Sequence, residues 1–212
     1  MPRPRFDKLS TKKRERIMEA AAKEFSTYGF EQASLNRILA DAGVSKGAAY
    51  YYFDDKADVF ATTVQYYSRH ILGEITDFAV DQLTAETFWP TLAEIYRQQL
   101  LYTFEYPWAM GVFKAVGKVS AQTLEANKPL AAMLAEIQGW LTSFLQHGQA
   151  LGMVRRDLPD DLLLSIFWVL DDAHDNWLLA HQAELTPEII EQEVLPRLVE
   201  LFHRLLDPAK EG

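Results

Sequence analysis

The chain has 212 residues, 49% of them hydrophobic, and carries a formal net charge of −9 at pH 7. This length and hydrophobic content suit one small domain and one larger domain with a sizeable core. Because there is no cysteine, a disulfide framework and a thiolate metal site are excluded. No apolar signal region follows the first arginines, and the longest apolar run, residues 162–170, is too short to span a bilayer, so we expect a cytoplasmic protein.

Charge is distributed unevenly along the chain. Residues 1–16 carry a local charge of +5 and residues 1–60 carry +2, which leaves −11 on the remaining 152 residues. This distribution is typical of a chain whose basic end faces a polyanion, such as DNA, that repels the acidic body. The first five residues, Met-Pro-Arg-Pro-Arg, form a basic N-terminal arm that either contacts phosphates or the minor groove, or is a plain disordered terminus.

Three helices are predicted within about the first 50 residues, and Ser10 or Thr11 caps the first and longest of them. The first has an apolar face and ends at Gly29. Ser34 caps the second helix, whose apolar residues Leu35, Ile38, Leu39 and Ala42 recur at helical spacing. Residues 42–44 make a short turn, and Ser45 caps a third helix. This arrangement is a helix-turn-helix.

The stretch from residue 43 to residue 56 is crowded with groups that suit a phosphate backbone. The free N–H groups after Ser45 attract anions, Lys46 adds a positive charge, and Gly47 leaves room for close approach. Hydroxyl groups that can donate to phosphates lie on three consecutive tyrosines, Tyr50, Tyr51 and Tyr52. These residues predict a DNA-reading element. The alternative is that residues 50–53 are only a packed aromatic cluster.

Read whole, residues 11–60 closely resemble the N-terminal domain of TetR-family transcriptional regulators. The matching features are a capped helix that ends Tyr-Gly-Phe, the core Ile-Leu-Ala-Asp-Ala-Gly-Val-Ser at residues 38–45, and the exit Tyr-Tyr-Tyr-Phe-Asp-Asp-Lys. The resemblance implies that Ala49 and Phe53 pack inward. It also implies contacts with a double-stranded DNA operator by Ser34, Ser45, Lys46, Gly47, Ala48, Tyr50, Tyr51, Tyr52 and Lys56.

Two positions depart from the pattern that is usual in this family. Tyr52 stands where histidine is frequent, which keeps a donor but lengthens its reach. Ala48 offers a methyl group where a polar, base-reading side chain is sometimes found. Because of these two departures, base specificity does not transfer from the family to this chain.

After residue 55 every strong periodicity of apolar residues is that of a helix, and the sequence shows neither strand alternation nor an internal repeat. Helix starts are indicated at Asp55, Thr84 or Thr87, Pro107, Asn127, Pro159 and Thr186, and Pro196 predicts a kink or break inside the last helix. The sequence therefore predicts an all-α protein of about nine helices. Residues 1–55 form a helix-turn-helix DNA-binding domain with its basic arm, and residues 56–212 form a larger helical domain for effector binding and dimerisation.

The eighth predicted helix is apolar around most of its circumference between residues 162 and 170, so it needs cover on more than one side. In the TetR family the last two helices pair with their symmetry mates as a four-helix bundle. Both considerations predict a homodimer and a roughly palindromic operator, with half-sites about one helical turn apart or a multiple of it. The alternative is that the last two helices bury each other within one chain.

The predicted C-terminal domain has more large aromatic rings than a helical core of its size needs. Aromatic side chains with a few polar groups suit a small-molecule cavity. The resemblance implies an effector site in the fifth to eighth helices, and a small-molecule effector, aromatic in our hypothesis, that moves the connecting helix and releases the operator. The candidate ligand-binding residues are Tyr96, Trp108, Trp140, Phe144, Trp168, Asp171 and Asp175.

These residues also have other interpretations. Each ring is consistent with ordinary core packing. Asp171, Asp172 and Asp175 either face the cavity, where they favour a cationic aromatic ligand, or pair with arginines across the dimer interface, or face water.

Catalytic signatures are missing from the sequence. It has no phosphate-cradling glycine loop, no Gly-x-Ser-x-Gly elbow, no His-Glu-x-x-His motif and no cysteine nucleophile, so we expect neither an enzyme nor a cofactor. His174 and His181 lie two helical turns apart, too far for both to reach one ion unaided, so we expect no metal site.

The sequence as a whole predicts a DNA-binding transcriptional regulator that is a homodimeric repressor relieved by a small molecule; an activator is the other possible sign of regulation. The alternative from a different class is a helical protein-interaction module without DNA binding. Salt-dependent binding to DNA separates the two, because phosphate contacts make affinity fall steeply as salt rises.

Overall fold

The computed structural model describes residues 6–45, 47, 51–71 and 79–208. Every regular element within these ranges is helical, which confirms the predicted all-α class. In chain order the helices are α1 (Thr11–Gln32), α2 (Leu35–Asp41), α3 (Lys56–Ile71), α4 (Phe88–Glu105), α5 (Pro107–Gly117), α6 (Ala121–Ala126), α7 (Lys128–Ala150), α8 (Asp160–His181), α9 (Pro187–Ile189) and α10 (Leu195–Leu206). Single 3-10 turns lie at Val80–Gln82 and Gln182–Glu184. Among the described residues, no helix is both long and apolar enough to cross a membrane.

Helix starts follow the capping residues that the sequence indicates. The Asp55 carboxylate accepts a hydrogen bond of 2.8 Å from the Asp58 N–H at the start of α3. Asn127 accepts one of 3.1 Å from the Leu130 N–H at the start of α7, and Thr186 caps α9 in the same way. Each acceptor satisfies an N–H group that has no partner inside its helix, which is why these starts are readable from the sequence.

Instead of the predicted kink or break at Pro196, the structure shows a change of helix type. A π-helical turn, Ile190–Val194, joins α9 to α10, and Pro196 lies in the first turn of α10. Proline has no N–H to donate to the carbonyl four residues earlier, and its ring clashes with that carbonyl in a regular α-helix. The wider π turn relieves both problems without ending the helical stretch.

The chain divides into two compact units. Unit 1 comprises Met1–His70 and Tyr106–Leu134, and unit 2 comprises Ile71–Glu105 and Ala135–Gly212. The chain therefore leaves unit 1 after α3 and returns to it with α5 and α6. The assignment of functions to residues 1–55 and 56–212 stays a prediction.

Unit 1 is built on α1, which packs against α2 and α5. At Gly29 the backbone has φ 67° and ψ 176°, so the helix breaks where the sequence predicts its end, and one more turn leads to Gln32. The break turns Phe30 into the core, where its ring centroid lies 5.1 Å from that of Phe60. Phe60 also contacts Phe25 edge-on at 4.7 Å, so α3 is held to α1 by an aromatic cluster.

Unit 2 has its core between α4, α7, α8 and α10. Phe88 and Phe144 stack with centroids 4.4 Å apart and join α4 to α7. Phe202 of α10 stacks on Tyr96 of α4 at 5.0 Å and on Phe167 of α8 at 4.5 Å. Aromatic stacking of this kind accounts for part of the large ring content that the sequence shows.

Helix α5 crosses α1 closely at Gly111, and a substitution there tests the packing of unit 1. A Cβ atom added at Gly111 of α5 would lie 2.3 Å from Ser26 Cβ and 3.1 Å from Ser26 Cα on α1. We expect Gly111→Ala to lower stability by about 1 to 3 kcal/mol, because the helices must separate to admit the methyl group. Thermal unfolding followed by circular dichroism measures this.

The matched control is Gly139→Ala in α7, where an added Cβ meets nothing within 4 Å among the described residues. This variant should be as stable as the parent or gain up to about 1 kcal/mol, since alanine is the better helix former. A Gly111→Ala protein as stable as the parent would contradict the crossing.

Candidate nucleic-acid interface and effector site

A buried glutamate stabilises the connection between α1 and α2 through hydrogen bonds. Glu24 is only 5% exposed, and its Oε1 accepts hydrogen bonds from the Ser34 N–H at 2.7 Å and from Arg37 Nε at 2.8 Å. Arg37 also donates to the carbonyl of Gln32 at 3.1 Å, and its guanidinium lies 4.5 Å from the Tyr28 ring centroid. The hydrogen bond that Arg37 donates to Glu24 raises the pKa of Arg37, so the guanidinium stays charged. Sequence reasoning missed this pair, whose one signal is an acid on the apolar face of the first helix.

The start of α2 is capped as predicted. Ser34 Oγ accepts from the Arg37 N–H at 3.4 Å while the Ser34 N–H is held by Glu24. Ser34 is therefore fixed at the helix N-terminus, where α2 presents free N–H groups. Its contact with DNA stays a prediction.

The turn after α2 has the backbone geometry that the sequence predicts. Gly43 has φ 64°, the Gly43 N–H donates to Ala40 O at 3.0 Å, and the Val44 N–H donates to Leu39 O at 2.8 Å. A residue in the left-handed conformation ends the helix and reverses the chain. Val44 is 9% exposed and anchors the turn in the core.

The described residues do not include Lys46, Ala48, Ala49 or Tyr50, so the structure does not test the predictions for them. Ser45 and Gly47, on either side of Lys46, are exposed. Gly47 does not have a positive φ, and a Cβ atom added to it meets nothing within 4 Å among the described residues. Neither the backbone nor the neighbouring described side chains require glycine at this position.

The aromatic run divides into an outward and an inward part. Tyr51 is 48% exposed, whereas Tyr52 is 9% exposed and lies edge-on to Tyr51 at 5.4 Å. Phe53 is buried against Phe6, with ring centroids 4.9 Å apart, which confirms its inward packing. Lys13 lies 5.7 Å from the Tyr52 ring centroid. Tyr51 is thus presented to solvent, while most of Tyr52 serves packing and any contact it makes with DNA stays a prediction.

Lys56, the first residue of α3, has its ammonium engaged within the protein. Its Nζ donates to the carbonyls of Glu31 at 2.9 Å and Ala33 at 3.2 Å. The same nitrogen lies 4.7 Å from the Phe30 ring centroid. Sequence reasoning missed these bonds, because their acceptors are backbone atoms 23 and 25 residues away.

Three of the candidate ligand-binding residues are grouped in unit 2. The Tyr96 hydroxyl donates to Asp171 Oδ1 at 2.8 Å, and Asp175 is buried one helical turn further along α8. Burial, followed by the two carboxylates, raises the pKa of Tyr96 well above its usual value, so the phenol keeps its proton and acts as a donor. Burial alone lowers the pKa of His174, which lies between the two acids in sequence, to about 4.

The other candidates lie elsewhere. Trp140 lines an open groove of about 550 Å³ whose remaining described lining residues are Val80, Asp81, Ser143, Gln146 and His147. Phe144 is fully buried and stacks on Trp140 at 5.4 Å, and Trp168 is 41% exposed on α8. Trp108 belongs to unit 1, where its Nε1 donates to the Tyr67 hydroxyl at 3.1 Å. Trp108 is thus in unit 1 and the other six candidates are in unit 2, and a role of these residues in binding an effector stays a prediction.

No cluster of three or more His, Asp or Glu side chains among the described residues is arranged to hold a metal ion. The described residues of unit 1 form a capped α2, a glycine turn and, after the turn, the exposed residues Ser45, Gly47 and Tyr51. A helix N-terminus and exposed hydroxyl groups are donors that suit phosphate oxygens.

Comparison with known proteins agrees with this geometry. Residues 17–63 match the family of bacterial regulatory proteins described as the tetR family. An HTH-type transcriptional repressor of Mycobacterium tuberculosis is 24% identical over 163 residues, which cover 77% of this chain and 80% of that protein. The probable acrEF/envCD operon repressor of Escherichia coli K12 is 26% identical over 178 residues, covering 79% and 77%.

The fold is also found in solved structures. The transcriptional regulator FadR from Bacillus subtilis, in complex with stearoyl-CoA, superimposes with a TM-score of 0.65 at 18% identity and covers 87% of this chain and 97% of that one. The family match includes the capped α2 and the glycine turn, and the two repressors extend the similarity over most of the chain. Residues 17–63 form a DNA-binding domain of the tetR family, and the protein is a DNA-binding transcriptional regulator.

Proposed function

We propose that the protein is a homodimeric repressor that binds a roughly palindromic operator and is released from it by a small-molecule effector. The DNA-binding surface is the segment after the glycine turn, together with Ser34 at the start of α2. The contacts with DNA are made by Ser34, Ser45, Lys46, Gly47, Ala48, Tyr50, Tyr51, Tyr52 and Lys56. Repression is the sign of regulation that the two relatives support.

The observation that carries the DNA-binding surface is Gly47. Glycine weakens a helix by about 1 kcal/mol relative to alanine, and the described part of the protein gives no compensating reason for it. Close approach of DNA to the backbone at Gly47 supplies such a reason, since a sugar-phosphate chain leaves no room for a side chain. The neighbouring exposed groups, Ser45 and Tyr51, are of the kind that contact phosphates.

Gly47→Leu tests this interpretation. We expect the variant to unfold at the same temperature as the parent or slightly above it, because its side chain enters open space within the described part of the protein. Its affinity for an operator selected from random duplexes should fall by at least about 100-fold, since a clash with the backbone removes several phosphate contacts together. Fluorescence anisotropy with the labelled duplex measures the affinity.

The control is Gly139→Leu, a substitution at a glycine that also has open space among the described residues but lies in unit 2. It should bind the duplex as the parent does. If Gly47→Leu retains parental affinity, the surface is placed wrongly, and if the parent binds no selected duplex with an affinity that falls with salt, DNA binding itself is refuted.

The homodimer is supported by one face of α8. Leu163, Phe167 and Leu178 are buried within the chain, whereas Leu162 is 44%, Val169 70% and Trp177 45% exposed. The exposed three are spaced seven and eight residues apart, so they follow one side of the helix. An apolar stripe of this kind on a regulator needs a partner. A second copy covers it and places two DNA-binding surfaces about a two-fold axis.

Val169→Glu tests the dimer. Because Val169 is largely exposed in the single chain, the charge should leave each protomer folded but oppose burial of the stripe against another copy. We expect the sedimentation coefficient to shift from dimer to monomer and binding to the palindromic duplex to weaken by at least about 10-fold. Gln138→Glu, a change at an exposed position on α7, is the control and should stay dimeric. A dimeric Val169→Glu protein would contradict the interface.

The effector site is supported by the groove beside Trp140. Its volume of about 550 Å³ fits a drug-sized molecule, and it offers a ring face together with a carboxylate, a hydroxyl and an amide. The FadR protein from Bacillus subtilis binds stearoyl-CoA on a similar fold, so this architecture accommodates an organic effector. A coupling of about 1 to 3 kcal/mol between effector and operator would weaken DNA binding roughly 5-fold to 150-fold.

Trp140→Leu tests the groove. In a screen of aromatic compounds for release of the bound duplex, we expect a compound that acts on the parent to lose its effect on this variant, because the ring face is gone. Operator affinity without the compound should not change. Trp168→Leu is the comparison, since Trp168 is exposed on α8 outside the groove. Loss of release in Trp168→Leu but not in Trp140→Leu would move the effector site to α8.

A further inference from the structure

Two polar side chains of the groove beside Trp140 already use a hydrogen-bond donor inside the protein. Ser143 donates its hydroxyl proton to the Gly139 carbonyl at 2.9 Å, so its Oγ can only accept from a ligand. Gln146 donates from Nε2 to Asp160 Oδ2 at 3.1 Å, which leaves its Oε1 as an acceptor and one N–H of the amide as a donor. Both side chains therefore offer acceptor capacity to the groove.

Two further lining residues add acceptors. His147 Nε2 lies 2.8 Å from the Leu83 carbonyl oxygen, and because a carbonyl only accepts, this ring nitrogen carries the proton. In the neutral ring Nδ1 is then an acceptor. Asp81 is exposed and makes no ion pair with any residue that the structure describes. Its carboxylate gives the groove a negative charge that no neighbouring cation in this part of the chain offsets.

Trp140 supplies apolar surface rather than a donor. Its Nε1 is buried and has no hydrogen-bond partner among the described residues, so a ligand in the groove does not reach this atom. The indole stacks on Phe144 with ring centroids 5.4 Å apart, which holds it in place. An aromatic ring attracts a cation to its face through its quadrupole. The groove thus combines a fixed aromatic ring with a negative charge.

We propose that the effector of this groove is an organic cation that donates hydrogen bonds, namely a protonated amine joined to an aromatic body. This inference rests on the proposed effector site and names the chemical class that fits it. Among the described lining side chains, four residues offer acceptors, and one amide N–H is the donor that a ligand can reach. A ligand carboxylate or phosphate would lose its hydration and meet lone pairs and a like charge. An ammonium finds acceptors, an opposite charge and a ring.

Binding of three indoles to the full-length protein tests this class without DNA. Tryptamine, tryptophol and indoleacetate share one aromatic body and carry an ammonium, a hydroxyl and a carboxylate, respectively. We expect tryptamine to bind at least about 5-fold more tightly than tryptophol in isothermal titration calorimetry, and indoleacetate to bind most weakly. Exposure of Asp81 to water keeps this preference modest. Indoleacetate that binds as tightly as tryptamine, or a parent that does not bind tryptamine, would overturn the proposal.

Asp81→Asn separates the effect of the charge from the general affinity of the groove for an indole. The substitution keeps the size of an exposed side chain, so the fold should persist. We expect the preference for tryptamine over tryptophol to fall to about 2-fold or less, with tryptophol bound as by the parent. Glu184→Gln, at an exposed acid of unit 2 outside the described lining, is the matched control and should keep the parental preference. An undiminished preference in Asp81→Asn, or an equal loss in the control, would contradict the assignment.

Operator release is measured separately, so the ligand class and the regulation can fail independently. A preference for tryptamine that depends on Asp81 supports the class even if tryptamine leaves the protein on its duplex, an outcome that refutes the proposed effector role of the groove. Release by tryptamine that is equally strong in Asp81→Asn overturns the ligand class at this groove and leaves effector-controlled release standing.

Discussion

The connection between α1 and α2 depends on charged side chains that satisfy its backbone. A helix end leaves carbonyl groups without partners, and a new helix begins with N–H groups in the same condition. Here the two ends are separated by two residues, so the unsatisfied groups are concentrated in one short segment. Glu24, Arg37 and Lys56 supply the missing donors and acceptors from three different helices. The orientation of α2 relative to α1 and α3 follows from this set of bonds.

Such an arrangement is specific because it is directional. The aromatic cluster of Phe25, Phe30 and Phe60 joins α1 to α3, but ring packing tolerates small rotations. Hydrogen bonds to a buried carboxylate and to fixed carbonyls do not tolerate them, since an unpaired buried group is costly. In unit 1 the aromatic rings supply apolar packing, and the hydrogen bonds of the charged groups fix how the helices are positioned against one another.

Local signals were the predictable part of this protein. Ser34, Asp55, Asn127 and Thr186 act within three or four residues of themselves, so a single sequence shows where their helices begin. Gly43 is readable for the same reason, because a positive φ is a property of one residue.

The parts that were missed all depend on contacts between distant residues. Tyr52 and Tyr51 are adjacent and identical in type, and only the position of the core decides that one is buried and the other exposed. The bond from Tyr96 to Asp171 joins residues 75 apart, and the assignment of Trp108 to unit 1 rests on the packing of α5 against α1. Periodicity cannot show which helix a given face will meet.

The return of the chain to unit 1 has a consequence for biosynthesis. During translation α1 emerges early, but the helix that covers it, α5, is made only after α4, which belongs to unit 2. Domains generally fold as units while the chain is still being made. In this protein part of α1 therefore stays uncovered until α5 has been made. A truncated messenger RNA or a proteolytic fragment that ends before residue 106 yields an incomplete unit 1 rather than a smaller functional domain.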